Sequence, residues 1–486
     1  MLKNDTRTDR QWLALTLIAI LGITVWRILL LPYAGIDLFV DETQYWLWGR
    51  EMAFGHYSKP PGIGWLIRAT TFLTGSESAF SLRLSLPVLH GLTAVMILIL
   101  GEEVFELRAA ALAAISYVTL PVVAVGSLLI STDTPMLFFI AASLAIWSKL
   151  RHGPHLGLAL LLGLCLGLGM MSKYAMSYAW IGLALVAILV PTWRIGRRDG
   201  AVAVIVAAIV VAPNIWWNLQ HDMATLRHTA DNADWQGTQV HPDRALRFVL
   251  EQFAVAGPVI FAAMLIQFLR PKRVWEDEDI RAMVLLALPA LVAVTVQAFL
   301  SRAYANWAVG AYVAGTVLAV DWLAHRAPRL MKLSLILNGF IALAVPIAIT
   351  QAADLRRPDG ELLLRRHLGQ AEISARALQA TRAAGGDVIV AHDRGLLADL
   401  FYRTRKGGPQ IFAVPQTDPV PHHYALIYPL PADRDGTVLY LSYARNAIPC
   451  TDPDAPVAEV ASWTAGTGHA EGQEITLRRV PADCWR

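Results

Sequence analysis

Long apolar runs separated by short polar turns dominate the pattern of the chain. A window of roughly 19 residues, about the length that a helix needs to cross a bilayer, finds about eleven such runs. We expect spanning helices near residues 11–31, 84–101, 109–126, 133–149, 156–171, 174–191, 201–217, 248–269, 282–300, 305–323 and 333–351. The pattern therefore predicts an α-helical polytopic membrane protein.

Lysine and arginine collect in every second loop between these runs, as the positive-inside rule requires of cytoplasmic loops. These cations are Lys3, Arg7 and Arg10; Arg108; Lys149 and Arg151; Arg194, Arg197 and Arg198; Arg270, Lys272, Arg273 and Arg281; and Arg326, Arg329 and Lys332. The N-terminus is thus predicted to be cytoplasmic, with the first apolar run a retained signal anchor. An odd number of spans places the C-terminus outside.

Composition agrees with a membrane location and excludes several other classes. Of the 486 residues, 55% are hydrophobic and 16% are charged, which leaves too few charges for a water-soluble protein of this size. The net charge of +3 gives no electrostatic support for a nucleic-acid partner. Three cysteines without a CxxC pair exclude a zinc ribbon, an iron–sulfur site and a redox motif.

The composition changes at about residue 352, where charged and turn residues replace the apolar runs. We therefore predict a membrane domain over 1–351, with a first outer loop at about 32–83, and an exported α/β domain over 352–486. In the second domain helical spacing covers 360–384, and strands are expected at 387–392, 423–430, 438–444 and 475–480.

The predicted topology places Cys450 and Cys484 in the oxidising compartment and Cys165 inside a span. We therefore expect a disulfide between the first two and a free thiol at the third. The alternative is that both cysteines of the exported domain remain buried or unreactive thiols.

The first outer loop holds the densest polar cluster beside the membrane. Asp41 and Glu42 introduce an aromatic-rich segment, and a Tyr57-Ser-Lys59-Pro-Pro turn follows. The aromatic residues Trp46, Trp48, Phe54 and Tyr57 are typical of a helix that lies in the membrane interface. In the plainer alternative the two acids only cap this helix, and the lysine extends toward lipid headgroups.

Further polar residues lie at outer ends of spans. They are Asp133, Lys173, Tyr174, Asn218, His221, Arg302 and Asn306. Each alone has an ordinary interpretation as a helix cap or part of an interfacial belt. Together they favour a reaction on a lipid phosphate, because cations stabilise the charge that develops on a leaving phosphate and a carboxylate accepts the proton of an attacking hydroxyl.

The ordered set of these motifs resembles the GT-C glycosyltransferases over about residues 11–325. It comprises an acidic pair after the first span, a Y-x-K-P-P turn, an Asp that begins the fourth span, a short S-K-Y turn and a later N-W. The resemblance is nearest to the protein O-mannosyltransferases and to the lipid A aminoarabinose and galacturonic acid transferases. The β-trefoil domain of the eukaryotic mannosyltransferases is missing, so the resemblance does not define the acceptor.

The resemblance implies a role for several residues. Asp41 matches the catalytic acid, Glu42 its neighbour and Asp133 the second acid, while Lys59 matches the lysine that binds the donor phosphate. Lys173 and Arg302 match basic positions. A divalent cation is left open, because His56, His221 and the acids lack paired ligand spacing and a structural role suits either histidine better.

We therefore predict an inverting glycosyltransferase of a bacterial inner membrane that acts on the periplasmic face. Its donor is a polyprenyl-phosphate-linked sugar, and its acceptor is an envelope component such as lipid A or lipopolysaccharide, another lipid, a glycan or a protein. A secondary transporter or a flippase for lipid-linked sugars is the alternative from another class, and a catalytically inactive binding module is a third.

Overall fold

A computed structural model of the protein describes residues 6–234, 240–416, 420–444, 450 and 456–485. The chain forms two compact units. The membrane unit comprises the residues up to Pro32 and Met52–Ile347, and the C-terminal unit comprises Tyr33–Glu51 and Ala348–Arg486. Lys3, one of the predicted cytoplasmic cations, lies outside the described residues.

The membrane unit consists of helices. In chain order, and including one helix of the C-terminal unit (α2), they are α1 Thr6–Leu30, α2 Val40–Glu51, α3 Gly62–Thr74, α4 Ala79–Arg83, α5 Ser85–Val104, α6 Leu107–Thr119, α7 Pro121–Gly126, α8 Asp133–Leu150, α9 Leu156–Ser172, α10 Ser177–Leu189, α11 Arg197–Gln220, α12 Ala224–Ala233, α13 Pro242–Val255, α14 Pro258–Phe268, α15 Pro271–Glu276, α16 Glu278–Leu300, α17 Ala311–Arg326 and α18 Pro328–Thr350. A short 3₁₀ helix, Ala305–Ala308, precedes α17.

Every predicted span coincides with helical residues, so the helical membrane fold is confirmed. Within the described residues, five helical segments are long and apolar enough to cross a bilayer: Thr8–Tyr33, Ala79–Val104, Arg197–Gln220, Glu278–Leu300 and Pro328–Thr350. Two predicted spans are interrupted, at Pro121 and at Gly257-Pro258, because proline removes a backbone donor and disfavours helical geometry in the residue before it. The number of eleven spans stays a prediction.

The C-terminal unit is built on a five-stranded mixed sheet. Its elements are α19 Gln370–Ala383, β1 Val388–Ala391, α20 Arg394–Arg403, β2 Gln410–Ala413, α21 His423–Ile427, β3 Thr437–Tyr443, β4 Ala458–Thr464 and β5 Glu474–Pro481. The strand order is β2-β1-β3-β5-β4, in which β1 is parallel to β2 and β3, and β5 is antiparallel to β3 and β4. The sequence predicted β1, β3 and β5 but missed the edge strands, because β2 has only four residues and β4 consists of exposed and half-buried residues without a clear apolar pattern.

The segment Tyr33–Glu51 packs with the C-terminal unit, although the sequence analysis placed it in the membrane domain. The amide of Gly35 donates to the Ile349 carbonyl, and the Asp37 carboxylate accepts the Ala371 amide at the start of α19. Trp46 and Trp48 are buried, the former edge-on to Tyr402. The interpretation of these tryptophans as anchors in the membrane interface is therefore wrong, because α2 uses them to pack within this unit.

The strand expected at 423–430 is also wrong, because the residues begin a short helix. The His422 imidazole accepts the Ala425 amide through Nδ1 at 3.1 Å and caps α21. Its other nitrogen donates to the His392 carbonyl at 3.0 Å. A side chain that satisfies orphan backbone groups at a helix start overrides the β propensity of the residues that follow.

This cap predicts an acid-sensitive C-terminal unit. Burial lowers the pKa of His422 below its ordinary value, so the unfolded chain binds a proton that the folded chain excludes. The free energy of unfolding should therefore fall as the pH drops from about 7.5 to about 5.5. Denaturant unfolding of the full chain at both pH values measures the effect.

His422→Asn keeps a capping oxygen but does not titrate, and it should flatten this pH dependence. His392→Asn, which removes an exposed imidazole that acts electrostatically on His422, measures how much of the pH dependence that neighbour contributes. Equal pH slopes in wild type and His422→Asn would show that the imidazole does not contribute.

The predicted disulfide is confirmed in the structure. Cys450 and Cys484 are joined with their Cα atoms 4.5 Å apart, and Cys165 is a free, buried thiol. Cys484 belongs to an apolar cluster on the sheet that also contains Val438 and Val480. The bridge therefore ties the end of the chain to the core of the C-terminal unit.

Cys450→Ser should lower the free energy of unfolding of the C-terminal unit by about 3–4 kcal/mol, because opening a loop of this length restores chain entropy to the unfolded state. Denaturant unfolding followed by hydrogen exchange in β3 and β5 measures the loss. Cys165→Ser, which touches neither strand, is the control. Three alkylatable thiols in the unreduced, denatured chain would contradict the bridge.

Candidate active site

An enclosed ion pair joins the N-terminus of α8 to the C-terminus of α9. Lys173 Nζ lies 2.6 Å from Asp133 Oδ1, and both side chains are largely buried. Asn306 Nδ2 donates to Asp133 Oδ2 at 2.9 Å, and the Ser131 hydroxyl donates to the same oxygen at 2.9 Å. The carboxylate is therefore bound by a cation, an amide and a hydroxyl, which offsets much of the cost of removing it from water.

Helix geometry brings these residues together. Asp133 is the first residue of α8, and Lys173 is the C-cap of α9, so the start of one helix meets the end of its antiparallel neighbour. An acid at a helix N-terminus is stabilised by the unpaired amides there. Asn306 comes from the 3₁₀ helix before α17, which no local pattern would place beside α8. The structure thus joins three residues that the sequence analysis named separately.

A buried polar network lies behind Asp133. His90 Nε2 contacts the Thr134 hydroxyl at 3.2 Å, and His90 Nδ1 contacts the Tyr117 hydroxyl at 3.2 Å. Arg27 is fully buried and donates to the Val118 carbonyl at 2.7 Å and to Ser127. The break between α6 and α7 deprives that carbonyl of a helical partner, and the guanidinium replaces it.

The sequence analysis missed this network, although Arg27 carried a signal. An arginine inside the first predicted span is expensive in lipid and is normally paired within the bundle. His90 and Tyr117 gave no such signal, because single polar residues in a long apolar helix are common.

The Tyr57-Ser-Lys59-Pro-Pro turn is held by close backbone contacts in the membrane unit. A side chain at Gly55 would overlap the Trp217 ring, and one at Gly62 would overlap the Met171 carbonyl. Asn214 Nδ2 donates to the Phe54 carbonyl at 2.7 Å, and the Thr225 hydroxyl donates to the His56 carbonyl at 2.6 Å. The turn therefore lies against the C-terminal ends of α9 and α11.

The polar residues at the end of α11 support the same turn. Tyr174 donates to Asn214 Oδ1 at 2.7 Å and receives a 3.3 Å bond from Asn218 Nδ2. The rings of Tyr57 and His228 are 5.0 Å apart. His221 stacks on Trp217 and bonds to its carbonyl, which favours the structural role foreseen for this histidine.

Lys59 and Arg302 differ from the enclosed Lys173 in exposure. Lys59 is half-buried on the turn, and its carbonyl accepts the His56 amide. Arg302 is exposed, and its carbonyl accepts a bond from Gln297. Neither side chain is among the bonded partners of Asp133.

Asp41 and Glu42 belong to the C-terminal unit and have different surroundings. Glu42 is buried, and its carboxylate accepts the Phe39 amide at 2.9 Å, as the third residue of a capping box does. The Asp41 side chain is 41% exposed and forms an ion pair with Arg394. Arg394 Nε also donates to Gln44 at 2.9 Å, so the guanidinium is fixed by two residues of α2.

Arg394 is a further residue that the sequence analysis did not find. It lies 353 residues from Asp41 in the chain, in the first turn of α20, and nothing in its neighbourhood distinguishes it from other surface arginines. Glu51, which accepts bonds from His423 and Tyr428, was missed for the same reason. Burial raises the pKa of Tyr428, and the Glu51 carboxylate raises it further.

Within the described ranges, no group of three or more histidine, cysteine, aspartate or glutamate side chains is arranged to hold a metal ion.

Comparisons with known proteins identify the fold. Residues 58–217 match the family model described as dolichyl-phosphate-mannose-protein mannosyltransferase. The crystal structure of ArnT from Cupriavidus metallidurans bound to undecaprenyl phosphate superposes with a TM-score of 0.66, at 14% identity, over 96% of this chain and 98% of that one. The chain therefore shares the fold of that protein.

Two curated relatives from Rhizobium johnstonii define the family further. The lipid A galacturonosyltransferase RgtD is 40% identical over 468 residues, which cover 96% of this chain and 98% of the relative. The lipopolysaccharide core galacturonosyltransferase RgtA is 30% identical over 276 residues, 54% of each chain. The chain belongs to the family of RgtD, which confirms a glycosyltransferase and gives no support to a transporter or flippase.

The Asp133–Lys173 pair yields a test of its role. Lys173→Met leaves the buried carboxylate without its cation, which should cost about 3–5 kcal/mol of stability and abolish sugar transfer. The double variant Asp133→Asn/Lys173→Met removes both charges and should recover most of the stability but not the transfer. Thermal unfolding in detergent and a transfer assay measure the two effects.

Lys149→Met is the control, because Lys149 is more exposed and pairs with Glu103 at the other end of α8. It should change neither stability nor transfer by much. Normal turnover in the double variant would assign a purely structural role to the pair.

Proposed function

We propose that the protein transfers a galacturonic acid residue from a polyprenyl-phosphate carrier to lipid A, with inversion at the anomeric carbon. The 40% identity to a lipid A galacturonosyltransferase over nearly the full length of both chains carries this proposal. The fold shared with ArnT, whose structure contains undecaprenyl phosphate, supports a lipid phosphate as the carrier.

The leaving group needs cations. As the glycosidic bond breaks, negative charge grows on the lipid phosphate, and a basic side chain lowers the energy of that state. We assign this role to Lys59, which lies on the turn held against the ends of α9 and α11, and to Arg302, which is exposed. Lys173 and Asp133 form a preorganised polar support at the outer end of α8 and α9, with Tyr57, Tyr174, Asn218 and Asn306 as neighbouring polar groups.

The acceptor hydroxyl needs a base. Asp41 suits this role better than Glu42, because it is partly exposed whereas Glu42 is buried and occupied by a backbone amide. The hydroxyl oxygen attacks the anomeric carbon, its proton passes to Asp41, and the electron pair of the breaking bond leaves with the phosphate. A phosphate needs no general acid, so one carboxylate is sufficient.

The arrangement in the cell is part of the proposal. The Lys and Arg distribution supports a cytoplasmic N-terminus and an exported C-terminal unit in a bacterial inner membrane. The enclosed disulfide fits an oxidising compartment. Transfer would then take place on the periplasmic face.

A reconstituted assay tests the function. Purified protein in lipid nanodiscs, given polyprenyl-phosphate galacturonic acid and lipid A, should produce lipid A that is heavier by one hexuronic acid residue in mass spectrometry. Parallel reactions with mannose or aminoarabinose on the same carrier test the sugar. If the protein transfers mannose or aminoarabinose in preference to galacturonic acid, the proposed donor is contradicted.

Asp41→Asn should reduce kcat by about 10²–10⁴, the usual range for loss of a general base, with little change in donor affinity. The amide preserves the shape of the side chain but does not accept the proton. Asp359→Asn, at an exposed carboxylate of the same unit, is the matched control. Near-normal turnover in Asp41→Asn would leave the carboxylate only its ion pair with Arg394.

A further inference from the structure

An open cleft of about 380 Å³ lies in the C-terminal unit between α19 and the end of α20. It is lined by Ala375, Leu378, Gln379, Arg382, Arg403 and Arg405. None of these six lining residues belongs to the candidate active site described above. The cleft therefore needs an explanation of its own.

The cleft carries excess positive charge. Three of its six lining residues are arginines, and none is acidic. The buried carboxylate of Asp399 accepts a 2.6 Å bond from Arg403 Nε, which compensates for one cation. The carboxylate of Asp37 also acts electrostatically on Arg403. Three guanidinium groups against these two carboxylates leave a local charge of about +1, and a concave surface of one sign concentrates oppositely charged ligands.

Arg405 is held in place before any ligand arrives. Its guanidinium lies over the Tyr402 ring, 3.9 Å from the ring centre, and donates to the Tyr402 carbonyl at 2.7 Å. Its Nε is buried and has no hydrogen-bond partner in the part of the chain that the structure describes. A guanidinium that is already fixed can offer its charge and its remaining N–H donors to an oxyanion at a low entropic cost.

The fold tolerates the cluster without a ligand. Arg382 and Arg403 lie in the last turns of α19 and α20, where helix carbonyls stabilise cations. The remaining lining residues are a side-chain amide and two small or medium apolar groups, Gln379, Ala375 and Leu378. An amide and an apolar surface match the hydroxyls and the C–H face of a sugar.

We propose that this cleft binds an oxyanion carried by a sugar, either a phosphate ester or a carboxylate, on the headgroup of the acceptor glycolipid. The identity of that acceptor rests on the proposed function, whereas binding of the oxyanion does not. Arg382 and Arg405 supply the charged contacts, and Arg403 contributes the part of its guanidinium that Asp399 leaves available.

Binding is tested first, on the full chain in detergent and in the Lys59→Ala/Arg302→Ala background, so that the candidate active site contributes less. Calorimetric titrations use glucosamine 1-phosphate, galacturonate, inorganic phosphate and uncharged galactose. We expect saturable binding of at least one sugar anion, a loss of affinity with added salt, and no binding of galactose. Preference for glucosamine 1-phosphate assigns a phosphate ester, and preference for galacturonate assigns a carboxylate.

Arg382→Ala and Arg405→Ala should each weaken the sugar anion about tenfold or more, the loss typical of a charge-assisted hydrogen bond. Arg382 is exposed, so its variant keeps the test valid if Arg405→Ala folds poorly. Arg376→Ala removes the same charge from α19, at a residue that pairs with Glu372, and should leave the affinity unchanged. Equal affinity in wild type, Arg382→Ala and Arg405→Ala would overturn the site.

Transfer kinetics separate this site from the proposed function. Arg382→Ala should raise KM for the acceptor and leave kcat and the KM for the donor unchanged. A wild-type protein that binds the sugar anion but transfers nothing to lipid A would refute the proposed function and not the site. A wild-type protein that transfers to lipid A with an acceptor KM insensitive to Arg382→Ala would refute the role of the site in acceptor binding.

Discussion

Polar groups inside the helical bundle have no water to bond with, so each must find its partner in the protein. The buried polar side chains of the membrane unit follow this constraint. Arg27 satisfies a carbonyl that the break before Pro121 leaves without a helical partner, and His90 connects Tyr117 to Thr134. Asp133 is stable in its enclosed position because Lys173 bonds to one of its carboxylate oxygens and Asn306 to the other. The start of α8 and the end of α9 are thereby fixed at the place where a lipid phosphate is proposed to react.

The C-terminal unit depends on a segment that precedes most of the membrane unit in the chain. Tyr33–Glu51 contributes Asp37 to the start of α19, two buried tryptophans to the packing of α2, and Glu51 to His423 and Tyr428. The same segment carries Asp41, so the proposed base is positioned by the core of a folded unit and not by a free loop. Arg394 and Gln44 restrict its carboxylate further. A base on a rigid element holds its geometry more closely than one on a mobile loop.

The positions of the helices and of the central strands could be predicted, because both follow from short-range patterns. An apolar run of span length excludes a water-exposed structure, and the residues of β1, β3 and β5 alternate or cluster as buried strands do. The errors occurred where side-chain contacts, local or distant, override the propensity of a segment. The segment 423–430 has strand-forming residues but is capped into a helix by His422, and α2 has the composition of an interfacial helix but buries its tryptophans.

The sequence by itself determined that this is a multi-pass helical protein with a GT-C order of acids and cations, since hydropathy and motif order are properties of the linear chain. It also separated the two cysteines that pair from the one that does not. Only the tertiary structure decided that Asp133, Lys173 and Asn306 meet, that Glu42 is a cap while Asp41 is open, and that Arg394 and the arginine cleft exist. These features join residues far apart in the chain, and their energies come from burial and from partners that no local pattern contains.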